Sequence, residues 1–204
     1  IHNSTLGLMM TDTGLITIGL VFLAYLWGSI PTAVLVCHAL NIPDPRKKGS
    51  GNPGTTNVLR IGSRKGALFT LVGDAGKGIL ALLPCSLLQL SSTEQSFCAL
   101  AAIIGHLFPL FSSFRGGKGI ATTFGVCVSL FWPITVLQSC IWCLVFAVSR
   151  TASLASIATV LITPIIVGLT EPTYLPAILI ISALLLLSHR VNISNLLQGK
   201  EPRF

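Results

Sequence analysis

The sequence predicts an all-α, polytopic integral membrane protein of seven transmembrane helices, short or broken ones among them, with the N-terminus outside and the C-terminus cytoplasmic. Three observations predict this fold: a scarcity of charge, a succession of apolar runs, and the gathering of basic residues into alternate connections. Of 204 residues, 52% are hydrophobic and only 9% charged, with a mean hydropathy of +0.83. A soluble globule usually carries about 25% charged residues, so the bilayer is the expected solvent. A helical span needs about 20 mainly apolar residues to cross roughly 30 Å of hydrocarbon. The length therefore has no room for a separate soluble domain, and residues 1–204 read as one unit.

The runs fall at about 14–40, 67–90, 96–111, 119–131, 133–149, 152–169 and 174–188. Ahead of them Met9 and Met10 follow a polar stretch, so residues 1–9 are expected to be a disordered or appended extension. The first run has no small-residue cleavage site after it and continues into Gly28-Ser29-Ile30-Pro31, which marks it as a retained span rather than a signal peptide. The third and fourth runs are short. Short spans imply broken helices facing protein or a wet cavity, because irregular backbone is not tolerated against lipid.

Lys and Arg are retained on the cytoplasmic side of short loops. With seven spans, one set of connections holds Arg46, Lys47, Lys48, Arg60, Arg64, Lys65, Arg115, Lys118, Arg150, Arg190, Lys200 and Arg203. The other set holds none, and of the 13 basic residues only Lys77, inside the second run, escapes the pattern. The formal charge of +7 thus reads as topology, and no nucleic-acid partner is expected. All 6 cysteines lie in or at the edge of apolar runs and read as small buried hydrophobes. Cys140 and Cys143 form a C-x-x-C without a second ligand pair, so no metal site is expected.

Three polar segments can carry chemistry. In the connection from Asp44 to Gly66, Gly49, Gly51 and Gly54 allow close approach of backbone N–H groups to a ligand. Ser50, Asn52, Thr55, Thr56 and Asn57 add short polar groups, and Arg46, Lys47, Lys48 and Arg60 add positive charge. Together they suit a phosphate oxyanion; the plain alternative is a flexible basic loop. In Phe114–Gly125, Gly116, Gly117 and Gly119 precede a helix start with Lys118 among them, again favourable to an anion. The alternative there is a tight interhelical turn. The Walker A spacing is absent, so nucleotide binding does not follow. After the last run, His189 and Asn192 stand three apart and would share a face of a continued helix. Asp74 and Lys77 inside the second run are expected to pair. His106 reads as a packing residue, and Ser153 as a helix cap or a ligand hydroxyl.

Five ordered stretches, Gly28–Pro31, Gly49–Arg60, Gly105–Phe111 with Phe114–Gly125, Ser153–Ile157, and His189–Phe204, resemble the bacterial membrane acyl-phosphate:glycerol-3-phosphate acyltransferases. The resemblance covers about residues 20–204. It implies a seven-span protein of the bacterial inner membrane with a cytoplasmic active site. The implied reaction moves a fatty acyl group from acyl phosphate to the 1-hydroxyl of glycerol 3-phosphate, giving lysophosphatidic acid and phosphate at the first step of phospholipid synthesis. It further implies that Ser50, Lys118, His189 and Asn192 are catalytic. Arg46, Gly51, Asn52, Asn57, Arg60, Gly116, Gly117, Gly119 and Ser153 are implied to bind substrate. Membrane lipid and the enzyme that makes acyl phosphate are the implied partners. No G-x-S-x-G elbow occurs, so direct attack is expected rather than a covalent acyl-enzyme, with the proton taken by the departing phosphate or by His189 as a general base, and no cofactor is expected. An anion carrier and a lipid-headgroup scaffold are the competing readings.

Overall fold

In a computed structural model, residues 14–204 are described, α1 reaching back before them; the expected extension at 1–9 lies outside the described residues. The regular elements among them are all helical. They are α1 (His2–Gly28), α2 (Thr32–Ala39), α3 (Thr55–Arg60), α4 (Arg64–Leu87), α5 (Ser92–Leu107), α6 (Ile120–Ser149), α7 (Ala152–Thr170), α8 (Leu175–Ser188) and α9 (Arg190–Leu197). Four helices are long and apolar enough to cross a membrane, or six if each of two bent pairs counts as one span.

The first apolar run is broken in two. Pro31, which lacks an N–H, sits between α1 and α2, and the two bend by 41°. α5 begins before its apolar run because Ser91 and Glu94 cap it reciprocally, Ser91 Oγ accepting from the Glu94 N–H and the Glu94 carboxylate from the Ser91 N–H. The fourth and fifth runs, labelled together as α6, are two helical stretches divided by extended backbone at Phe131, two residues before Pro133. Across that break Thr135 Oγ1 lies 3.4 Å from the Phe124 carbonyl, and Gln138 Nε2 lies 3.4 Å from Cys127 Sγ. Residues so far apart in sequence would stand roughly 16 Å apart along a straight helix, so the chain turns back on itself at Phe131.

α4 is the central helix, packed against α6, α1 and α5. Its contact with α6 is close enough that a Cβ on Gly78 would collide with the Thr122 carbonyl, and one on Gly125 with the Ala75 carbonyl. Small residues at helix crossings let backbones approach where no hydrophobic effect drives association in lipid. The interior is correspondingly lean, with Ala24, Ala81, Ala99 and Ala102 buried beside Leu82, Ile103 and Ile181. The exterior is apolar, with Val148 82% and Leu169 83% exposed. Cys37, Cys85, Cys98 and Cys127 are buried as expected, but Cys140 and Cys143 are exposed, because their stretch of α6 lies on the outside of the bundle.

Candidate active site

One end of the bundle holds a cavity of about 1150 Å³ into which the three polar segments converge. Arg46, Ser50, Gly51, Asn52 and Arg60 line it from the first segment, Arg115, Gly116 and Lys118 from the second, and Ser188, Asn192 and Glu201 from the third.

The first segment is shaped by Asn57, which is 1% exposed. Its Oδ1 accepts the Ser50 N–H (2.8 Å), and its Nδ2 donates to the carbonyls of Pro45 (2.8 Å) and Lys48 (3.0 Å). Gly49 occupies the left-handed region (φ 64°), and a Cβ there would collide with Asn57 Oδ1. Asn57 therefore builds the loop instead of facing the cavity. At its start, the Arg46 fork grips Asp44, with Nη2 to Oδ2 at 2.7 Å, and holds that carboxyl below the usual carboxylate range. Arg46 lines the cavity with part of its charge already engaged.

In the second segment, Gly119 (φ 83°) is the N-cap of α6, and its carbonyl accepts the Thr123 N–H at 2.8 Å. Gly116 lies on the backbone of α5, where its N–H donates to the Leu107 carbonyl (3.2 Å), and Gly117 rests on His106. Neither Gly117 nor Gly119 lines the cavity; they set the path of a segment whose cavity-lining members are Arg115, Gly116 and Lys118. The Lys118 ammonium donates to Asn192 Oδ1. Burial lowers its pKa, Arg60 adds to that effect, and Glu201 opposes both.

The third segment departs from the expected continued helix. α8 and α9 bend by 60° at His189, and the two residues part in role, Asn192 lining the cavity while His189 does not. His189 is 3% exposed and does not line the cavity. Its Nδ1 lies 2.8 Å from the Leu185 carbonyl, which can only accept, so Nδ1 carries the proton and the lone pair belongs to Nε2. Burial pushes its pKa down to about 4, with Lys118 acting in the same direction against the Leu185 carbonyl and Glu201. The neighbouring Ser188 reaches the cavity and lies 3.2 Å from the Lys118 carbonyl.

Glu201 and Arg115 are cavity residues that sequence reasoning missed. Glu201 Oε1 accepts from Ser153 Oγ (2.7 Å) and Asn192 Nδ2 (2.6 Å), tying the start of α7 to α9. Ser153 therefore acts behind the cavity wall, while Thr151 occupies the N-cap of α7. The one available signal was that Glu201 is an acid inside an otherwise basic tail. That tail is secured by the Phe204 N–H to the Arg150 carbonyl (2.8 Å) and by the Arg60 guanidinium over the Phe204 ring (5.4 Å). Asp74 and Lys77 do pair, at 2.9 Å, beneath the glycine-rich floor.

Five cationic side chains, Arg46, Lys47, Arg60, Arg115 and Lys118, thus face a cavity with one lining carboxylate, Glu201. Such a cavity at the end of an apolar-surfaced bundle defines a polytopic membrane protein with a cationic pocket at one end. The glycerol-3-phosphate acyltransferase family model matches residues 18–199, and the chain belongs to that family. Relatives include the glycerol-3-phosphate acyltransferases of Pseudomonas paraeruginosa, 43% identical over 91% of this chain and 98% of the relative, and of Thioalkalivibrio sulfidiphilus, 43% identical over 93% and 94%. The fold is similar to the glycerol 3-phosphate form of PlsY (YgiH), an integral membrane glycerol 3-phosphate acyltransferase, with a TM-score of 0.85 and 33% identity over 92% of this chain and 95% of that one. It is equally similar to that protein's lysophosphatidic acid form, with a TM-score of 0.84 and 32% identity over the same shares. The protein is an integral membrane acyltransferase.

Proposed function

We propose that the protein transfers a fatty acyl group from acyl phosphate to the 1-hydroxyl of glycerol 3-phosphate, releasing lysophosphatidic acid and phosphate. The observation that carries this reading is the convergence of Ser50, Lys118 and Asn192, from three distant segments, on one cavity with five cations and one carboxylate. Two anionic substrates repel each other, and a fixed excess of positive charge offsets that repulsion while holding them in reacting geometry. Acyl phosphate is a mixed anhydride already activated toward attack, so positioning and charge stabilisation suffice. The 1-hydroxyl oxygen attacks the acyl carbon, the acyl carbon–phosphate oxygen bond breaks, and the hydroxyl proton passes to the departing phosphate.

Arg46, Arg60 and Lys118 supply the charge, while Ser50, Gly51, Asn52, Gly116 and Asn192 supply hydrogen bonds. Asn57, Gly117, Gly119 and Ser153 hold these groups in place. His189, buried and outside the cavity lining, holds the Ser188–Lys118 junction through its place beside Ser188 instead of acting as the base. The reading includes seven crossings, supported by the reversal at Phe131 and the two bent pairs. The segregation of basic residues supports an outside N-terminus, a cytoplasmic C-terminus and a cavity open to the cytoplasm from the bacterial inner membrane. The enzyme that makes acyl phosphate is the natural partner.

The test is an assay of purified protein in detergent or lipid, given glycerol 3-phosphate with acyl phosphate, acyl-coenzyme A or acyl carrier protein thioester as donor. Turnover with acyl phosphate is expected; use of a thioester alone would overturn the donor assignment. Uptake of labelled glycerol 3-phosphate into sealed vesicles without acyl transfer would favour a carrier instead.

A further inference from the structure

Below the cavity floor lies a polar cluster that takes no direct part in the proposed chemistry. Lys77 and Asp74 of α4 have side chains only 6% and 4% exposed. The Lys77 ammonium spends its three donors on Asp74 Oδ1 (2.9 Å), the Ile30 carbonyl at the α1–α2 break (2.9 Å), and His106 Nδ1 of α5 (3.0 Å). Thr122 Oγ1 of α6 lies 3.0 Å from the same Nδ1. Since an ammonium can only donate, Nδ1 must accept, and the ring proton sits on Nε2. A small cavity of about 20 Å³, lined by Lys77, His106, Pro53, Arg115 and both Gly116 and Gly117, separates this cluster from the larger one.

The Nε2 edge faces the place where the two glycine-rich segments meet. A Cβ on Gly117 would collide with His106 Nε2 and lie 3.2 Å from the Pro53 carbonyl. A Cβ on Gly116 would collide with the His106 carbonyl. One residue therefore supports the second segment through both its backbone and its ring, with the first segment alongside.

We propose that His106, clamped by Lys77 and Thr122, is a positioning residue that sets the height of the Gly116–Lys118 segment against Pro53 and so fixes the separation of Lys118 from Ser50. A buried ion pair is a poor source of stability, since its desolvation cost consumes most of the attraction. Its use here is to immobilise the imidazole at the junction of four elements. This inference rests on the reading of the larger cavity as the substrate site.

A reciprocal pair of variants tests it. Gly117→Ala drives a methyl into the ring, and His106→Asn keeps an acceptor toward Lys77 while removing the ring edge. In the acyl phosphate and glycerol 3-phosphate assay, Gly117→Ala is expected to lower kcat/KM about 100-fold, as a misplacement of roughly 1 Å does. His106→Asn alone should lower it about tenfold, and the double variant should recover to near the His106→Asn level, because the methyl then occupies vacated space. Losses that simply multiply would overturn the proposal. Should Gly117→Ala fail to fold, its rescue is read as folded protein recovered from the membrane in the double variant, and no recovery overturns the proposal equally. Wild-type turnover in the same assay tests the reading of the site separately from the coupling.

Discussion

The Lys118 ammonium donates to the side-chain oxygen of Asn192, across 74 positions of sequence, and so joins the glycine-rich floor to the C-terminal segment. With Asn192 also donating to Glu201, Lys118 is aimed into the cavity by a partner that is itself held. Lys118→Met removes the cation and leaves Asn192 Oδ1 without its donor. A charge-assisted hydrogen bond contributes about 1.5–3 kcal/mol, so kcat/KM should fall at least about tenfold, with KM for glycerol 3-phosphate raised. Lys118→Arg, which keeps the charge, should retain more activity; steady-state kinetics of both variants check this.

Asn57→Ala should harm the protein without touching the substrate. Three backbone groups, at Pro45, Lys48 and Ser50, lose their partner in a loop that is otherwise held mainly by turns. The Pro45 carbonyl is buried, where an unsatisfied group costs about 1–3 kcal/mol, while the Lys48 and Ser50 groups can turn to water. A lower Tm in detergent and a raised KM are expected together, whereas Ser50→Ala should change kinetics at an unchanged Tm.

Two glycine substitutions should separate cleanly. Gly116→Ala sets a methyl against the His106 carbonyl, a backbone atom that cannot step aside, and should abolish most activity. Gly76→Ala, in α4 with nothing within 4 Å of its Cβ, should leave activity intact and stabilise the helix by up to about 1 kcal/mol. Activity and Tm measured side by side distinguish the two outcomes.

The pH profile should be asymmetric. Lys118 has its pKa lowered, so the ammonium is lost as pH rises through a value below the ordinary 10.5, and kcat/KM should fall on the alkaline side. Lys118→Arg should remove that limb. His189 is depressed from 6.5 to about 4, so its contribution to stability is complete above pH 6.5 and is lost as pH falls through 4. Wild-type Tm should decline over that acid window more steeply than the Tm of His189→Ala.

Much of the fold was legible because long apolar runs and breakers act locally. The break at Phe131–Pro133 falls between two runs where the sequence places it, and Gly119 precedes a helix start as its neighbours suggest, whereas Pro31 divides a first run that reads as unbroken. Contacts that depend on tertiary convergence were not legible. His189 and Asn192 stand three apart, yet the break at His189 turns the imidazole into the protein and leaves Asn192 in the cavity. Glu201 joins Ser153 across 48 positions, and His106 meets Lys77 across 29, separations at which no periodicity applies. Asn57 was read as a ligand contact because its residue type suits phosphate; its carboxamide is instead spent on the loop's own backbone.

The central claim is that the three segments form one binding place for glycerol 3-phosphate. A structure of this protein determined with that ligand tests it most directly. The phosphate should lie in the large cavity within hydrogen-bond reach of Lys118 and of at least one group each from the Ser50 loop and the Asn192 segment. A ligand seated elsewhere, or touching only one of the three, would contradict the claim.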